Sequence, residues 1–386
     1  MKKFLTGVAL AAVMPLSALC ACKNDDKIYG YSRTFFAMDT TAQLVVANVK
    51  EEDFSALSDR VGEFLSNADN SLSAARTNSY IYKFNTAPAG ATVGIDEITY
   101  EVLTLAKQVY IETDGYFNPA VYYCEDIYRF AARAEGSPAM PYDREGDAPT
   151  LPDEKYITAF KQLSEHFSEV EIFEKDGTYY ATKPDFTVKA EGDDTEYSLA
   201  LDTGGIAKGW CADKVNAMLD GANVEYGYFD FGGSSKGIKK YPKGDGSYSV
   251  GATDPRSGGV YMSFGLQNSN LSTSGDNNNY YEIDGVRYCH IINPQTGSPV
   301  QTGVATVTLV GGSAGRADAL TTALAAMGKS RAAQFINEKL TDCKVAMLIF
   351  EDGAGKILTN APDFFKILNK NYTLANTVED GKIVLK

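Results

Sequence analysis

Residues Leu201–Asp213, LDTGGIAKGWCAD, decide how the rest of the chain is read. Gly204-Gly205 stands just ahead of a run of small and apolar residues. The spacing predicts a helix starting near Ala207, with Val224–Phe231 a strand after it. Glycines there let the backbone approach a ligand, the first helical N–H groups favour an anion, and Lys208 could meet a phosphate as a point charge. A plain turn before a helix has the same residues, so this stretch alone leaves both readings open. Asp230-Phe231-Gly232-Gly233-Ser234 is a second strand-then-diglycine corner. Neither matches GxGxxG or GxxxxGK[ST], which argues against the common nucleotide-binding folds.

Outward from this corner, strands and helices mix without regular alternation. Phe35 to Val49 alternates as a strand should, and Phe54, Leu57, Val61, Phe64 and Leu65 fall at helical spacing. A second helix is expected over about 96–113, ending at Asp114-Gly115. Residues 131–153, rich in Gly, Pro, Ala and charge, read as an inserted surface loop. Glu169–Glu174 and Tyr179–Thr182 suggest a hairpin, and helices near 314–327 and 330–340 precede a buried strand at Val345–Phe350. This mixture predicts an α+β fold over residues 33–386. We expect a single large domain of two intimately packed subdomains, with helices on mixed and antiparallel sheets.

The formal net charge of −14 argues against a general nucleic-acid binder, which needs a basic surface to displace counterions. Met1-Lys2-Lys3 and the mostly apolar Phe4–Leu19 read as an export signal, too short and wrongly flanked to span a membrane. Leu19-Cys20-Ala21-Cys22 resembles a bacterial lipoprotein signal over residues 1–21, with Cys22 as the lipidated residue and 22–32 as a tether. Plain secretion, with these cysteines incidental, is the other reading. Cys124, Cys211, Cys289 and Cys343 show no CxxC pair or metal-type cluster and read as isolated small apolar residues.

Ala317-Asp318-Ala319-Leu320-Thr321-Thr322-Ala323-Leu324 is apolar and small apart from one carboxylate and two hydroxyls. On a helix, Asp318 and Thr322 share a face one turn apart, offering two hard oxygen ligands that suit Mg²⁺. A helix N-terminal Asp with a Thr bonding back to a carbonyl fits the same spacing. His290, one of two histidines, opens the stiff turn HIINPQTGSPV, where a general base would be held in place. A structural histidine fits there equally well. His166, near a helix end, reads as surface. Two histidines and no cysteine cluster leave little for a zinc site.

Together these pieces resemble the ApbE-type flavin transferases, FAD:protein FMN transferases of the bacterial envelope. Phe36-Ala37-Met38-Asp39-Thr40 resembles their F-x-M-G-T, Ser79–Asn85 their S-x-[IL]-x-x-[LF]-N, and Gly115–Pro119 their G-x-F-D-P. LDTGGIAKGWCAD is close to D-[LF]-G-G-[IA]-A-K-G-x-x-x-D, and Phe231-Gly232-Gly233 matches the second diglycine corner. Tyr248–Pro255 resembles W-x-[IV]-G-[IV]-x-[DN]-P, and Ser272–Asp276 resembles [AS]-T-S-G-D. HIINPQTGSPV is similar to H-I-[IL]-[DN]-P-x-T-G-x-P, and RADALTTALAAMG to A-D-A-L-[AS]-T-A-[LF]-x-x-[LM]-G.

The resemblance implies an enzyme that moves FMN from FAD to a threonine or serine hydroxyl of a partner protein and releases AMP. The metal would be Mg²⁺, on the Asp318 carboxylate, the Thr322 hydroxyl and the carbonyls of Ala207 and Thr321. His290 would be the base. FAD would lie against Met38, Asn85, Phe117, Gly204, Gly205, Lys208, Gly233, Thr273 and Asp276. FAD hydrolysis to FMN and AMP, or flavin binding without turnover by a lipid-anchored protein, are the alternatives. The acceptor would carry a motif of the type [DS]-G-x-[ST]-[GAS]-[ST] and belong to a membrane redox complex on the periplasmic side. Asp220-Gly221-Ala222-Asn223 and Asp352-Gly353-Ala354-Gly355 lack its hydroxyl residue, so the chain is expected to act in trans. Three positions depart from the family pattern: Asp39 where glycine is usual, Asn118 where aspartate is usual, and Ala120 where threonine is common. The tyrosine usual after the Leu72-Ser73 pair is missing as well.

Overall fold

The computed structural model describes residues 14–15, 28–144, 146 and 149–386; Cys22 and almost all of the export signal lie outside them. At the centre is a sheet whose strands lie side by side in chain order. They are β1 (Gly30–Ala37), β2 (Thr40–Ala47), β3 (Tyr226–Phe231), β4 (Ser235–Ile238), β5 (Ser269–Gly275), β6 (Val304–Val310), β7 (Lys344–Glu351) and β8 (Ala354–Thr359). Each pairs antiparallel with the next. Two-residue segments extend the edges: Met14–Pro15 beside β1, and Thr373–Leu374 parallel to β8.

Period-two side-chain alternation divides these strands between two cores. In β7, Val345, Met347 and Ile349 enter one cluster while Ala346 and Leu348 enter the other; Val307 and Leu309 of β6 oppose Val310, and Ala305 joins Val310's cluster across the register shift at Val304/Thr306. With both faces covered, every residue of β6 is buried, which is why VATVTLV reads as a nearly unbroken apolar run. On one face pack α1 (Glu51–Leu72), α5 (Ala207–Gly221) and α6 (Ala314–Lys339). On the other lies the hairpin Tyr248–Thr253 with Val260–Leu266. The 48–225 excursion between β2 and β3 also carries α2 (Tyr80–Thr86), α3 (Glu97–Glu112) and α4 (Glu154–Glu165). A small sheet of Thr92–Ile95, Thr178–Thr182 and Glu171–Lys175 completes it. The architecture is the expected α+β.

Two local expectations change. Phe35–Val49 is a hairpin rather than one strand: the chain reverses at Met38-Asp39, both with positive φ (49° and 57°), in a two-residue turn. Apolar residues continue through the reversal, so periodicity gives no sign of it. The helices expected near 314–327 and 330–340 are one element, α6, interrupted at Gly328 (φ 69°, ψ −177°). Among its described residues 131–153 has no helix or strand. The four cysteines past the signal are buried and free.

Candidate active site

A cap that joins two helices sets the site. Asp213 on α5 accepts from the Ala314 and Gly315 amides at 2.7 and 2.8 Å, so a carboxylate of one helix caps the N-terminus of the next. This holds α5 and α6 together, and the Gly209 amide then donates to Asp318 Oδ2 at 3.0 Å. Asp318 is only 4 % exposed. Ser274 Oγ on β5 lies 2.8 Å from Thr321 Oγ1 and 3.4 Å from Thr322 Oγ1, and the Thr321 hydroxyl also bonds the Asp318 carbonyl.

Beside this junction lies a cavity of about 480 Å³. Its wall combines Met38 and Thr40 of the β1–β2 turn, Tyr116–Pro119 and Glu125 of the segment after α3, and Asp202, Gly204, Gly205 and Lys208 at the start of α5. Phe130, Gly232, Thr273–Gly275, Asn279, His290, Asp318 and Thr322 also line it. The Lys208 ammonium donates to the Gly204 carbonyl at 2.8 Å, folding back over the diglycine turn. Gly232 (φ +64°) brings the second corner close, where an added Cβ would lie 3.1 Å from Thr40 Cγ2 and 3.6 Å from Lys208 Cδ.

His290 is fixed by one carbonyl. Both its backbone N–H (3.0 Å) and its ring Nδ1 (3.3 Å) reach Asn279 O. With Nδ1–H donating there, Nε2 is the nitrogen left to take a proton. Burial pushes the imidazole pKa below its ordinary value, and nearby Lys208 adds to this against the Asn279 carbonyl and Asp202. Burial raises the carboxyls of Asp318, Asp202 and Glu125. For Asp318 and Asp202, Lys208 and a backbone N–H offset part of the rise. Glu125 is raised well above the usual range, since Asp202 and Asp126 add to its burial. The cavity thus holds three costly carboxyls against one lysine, an arrangement that a cation would relieve.

Of the residues singled out in the sequence, His290, Met38, Phe117, Gly204, Gly205, Lys208, Thr273, Asp318 and Thr322 line this cavity. Ala207 and Thr321 are buried behind it, inside α5 and α6. Three placements differ. Asp276 accepts both guanidinium nitrogens of Arg256 at 2.7 and 2.6 Å and is spent on that ion pair. Asn85 clamps the backbone of Leu201, accepting from its N–H at 2.7 Å and donating to its carbonyl at 2.8 Å. It therefore shapes the approach to Asp202 instead of facing the cavity. Gly233 (φ +72°) completes the corner, its N–H donating to Asp230 Oδ1, while Gly232 does the lining.

Sequence reasoning assigned no role to Glu125, Asp202, Ser274 or Asn279. Asp202 and Ser274 stood inside quoted motifs; Glu125, in Tyr122-Tyr123-Cys124-Glu125-Asp126, carried no signal. Asn118 has a clear local reason. Its Oδ1 accepts from Ala120 N–H and its Nδ2 donates to Ser164 O at 2.9 Å, a bond an ionised aspartate could not make.

A model described as the ApbE family matches residues 38–347. The FAD:protein FMN transferase of Treponema pallidum is 24% identical over 369 residues, spanning 93% of this chain and 95% of that protein. That of Haemophilus influenzae is 26% identical over 383 residues, spanning 96% and 99%. Among solved structures, the flavin transferase ApbE from Vibrio cholerae aligns with a TM-score of 0.68 at 22% identity, covering 86% of this chain and 97% of that one. The ApbE protein of Thermotoga maritima gives 0.68 at 25%, covering 83% and 94%.

Proposed function

The chain belongs to the ApbE family, and on that premise we propose that it is an FAD:protein FMN transferase. It takes FMN from FAD, joins it through a phosphoester to a threonine or serine hydroxyl of a partner protein, and releases AMP. The observation that carries this reading is the convergence of His290, Lys208, Asp318 and Thr322, from three separate parts of the chain, on one cavity.

Phosphoryl transfer asks a protein chiefly for positioning and charge neutralisation. The diglycine turn and Lys208 receive the negative charge of the pyrophosphate. His290 Nε2 accepts the proton of the incoming hydroxyl as its oxygen bonds the FMN phosphorus and the bond to the AMP oxygen breaks. Burial keeps the imidazole neutral, which a base requires, and the Asn279 carbonyl fixes the ring.

Mg²⁺ fits the residues present. Asp318 offers a buried carboxyl that burial disfavours as an anion, and Thr322 a hydroxyl beside it, both hard oxygen donors. The carbonyls of Ala207 and Thr321 would join them. When bound, the ion supplies charge neutralisation at the pyrophosphate.

The test incubates the protein with FAD, Mg²⁺ and a peptide carrying a [DS]-G-x-[ST]-[GAS]-[ST] motif and weighs the products. Peptide heavier by one FMN supports transfer; free FMN with AMP and an unchanged peptide would show a hydrolase instead. We further propose acylation at Cys22 and anchoring on the periplasmic side of the envelope. Cys22→Ala protein recovered in the membrane fraction as fully as the parent would refute the anchor.

A further inference from the structure

His290 stands between two short elements that the main sheet does not hold. Before it runs the two-stranded hairpin Tyr280–Ile283 with Val286–Cys289; after it, Ile292–Asn293 pairs with Ser298–Pro299. An isolated two-stranded ribbon is marginal by itself, so something else must fix the orientation of the segment that carries the base.

A ladder of four aromatic rings does this. Phe130, which lines the cavity, stacks on Tyr281 at 5.4 Å and 19°. Tyr281 stacks on Tyr288, its directly opposite partner across the hairpin, at 5.8 Å and 24°. Tyr288 stacks on the buried Tyr128 at 6.4 Å and 17°. The last rung then reaches past the histidine: Tyr128 OH bonds Ser298 Oγ at 3.0 Å. The 128–130 segment thus grips the chain on both sides of His290, through stacked rings before it and a hydroxyl pair after it. The Tyr281 hydroxyl is buried with no hydrogen-bond partner among the described residues, so the ring and not the hydroxyl serves the ladder.

We propose that Tyr281 and Tyr288 are positioning residues for His290: the ladder they form with Phe130 and Tyr128 sets the place of the imidazole relative to the cavity. One end of the ladder is cavity wall, so the base is referenced to the surface against which the substrate lies. The role assigned to His290 rests on the transferase reading; the ladder and its hold on the His290 segment do not.

The chain has only two histidines, which makes the test direct. In protein labelled with ¹⁵N-histidine, His290 and His166 give two sets of ring signals, assigned with His166→Gln. Tyr281→Ala and Tyr288→Ala are expected to shift and broaden the His290 ring signals and leave those of His166 in place. Tyr281→Phe and Tyr288→Phe should keep both as in the parent. Unchanged His290 signals in the alanine variants, equal change at both histidines, or failure of the phenylalanine variants to restore the parent spectrum each overturns the proposal. A second arm measures FMN transfer to the acceptor peptide. Here kcat should fall at least about tenfold in the alanine variants while the FAD dissociation constant stays within about twofold. If the parent transfers nothing, the transferase reading fails, and the histidine spectra still decide the role of the ladder.

Discussion

A Cβ placed on Gly209 would lie 2.2 Å from the carbonyl oxygen of Ala314. Glycine is what lets α5 and α6 cross closely enough for the Gly209 amide to reach Asp318. Gly209→Ala must push the helices apart, and overpacking of this kind costs about 1–3 kcal/mol or more. Denaturant melts should show that loss, and calorimetry should show weaker binding of the proposed Mg²⁺. Gly221→Ala at the end of α5, where the added Cβ meets nothing within 4 Å, should be neutral or slightly stabilising. Equal behaviour of the two variants would refute the account of the crossing.

Asp39 holds φ +57° in the β1–β2 turn, a conformation that glycine adopts without cost. Asp39→Gly should therefore stabilise the protein, by up to about 1 kcal/mol. Since the Asp39 side chain is exposed, FAD affinity should stay within about twofold of the parent. A lower midpoint in thermal unfolding would count against strain at this turn.

Lys183 is buried, and its ammonium donates to Asn85 O (3.0 Å), Ala87 O (2.8 Å) and Ser198 Oγ (3.1 Å). Burial lowers its pKa to about 7 from 10.5. Between those two values the unfolded chain holds a proton that the folded chain has shed, so stability should rise with pH across that window. Below pH 7 both states are protonated and the contribution is flat. Lys183→Met should remove the slope and, by leaving two carbonyls unpaired, cost about 2 kcal/mol at neutral pH. Parallel stability profiles for parent and variant would contradict this.

As the proposed base, His290 would act only when neutral, and burial lowers its pKa. The acid limb of kcat/KM should therefore fall below the ordinary histidine value of about 6.5. His290→Gln should lose about 10²–10⁴ in transfer rate and lack that limb. A variant that keeps the limb would assign it to another group.

Asp318→Asn removes the carboxylate but keeps the shape. Mg²⁺ affinity, followed by calorimetry, should fall at least about tenfold, a level typical of disturbing a metal's surroundings. Unchanged affinity would refute Asp318 as a ligand of the proposed Mg²⁺.

The parts of the site that were legible in the sequence are those whose geometry is local. Asp318 and Thr322 share a helix face because four residues make about one turn, and Gly204, Gly205 and Lys208 belong to one helix start. Asp276 and Asn85 lie off the cavity wall because strand register and distant partners decide where a side chain points: Arg256 pairs with the first and the Leu201 backbone with the second. Glu125 was invisible, since only the packing of its segment near Asp202 puts it in the cavity wall. The same limit hid the reversal at Met38-Asp39, where apolar residues continue through the turn.

The order of the central sheet carries a consequence for how the molecule assembles. From β3 to β8 each strand meets its successor across modest stretches of chain, whereas β2 reaches β3 only after residues 48–225 have been placed. Closing that long loop costs entropy before any pairing repays it, so the N-terminal hairpin should dock late on a preformed β3–β8 meander. Met38 and Thr40 travel on that hairpin. The cavity is then complete only at the last step of folding, and on the proposed function tight FAD binding would report a finished chain.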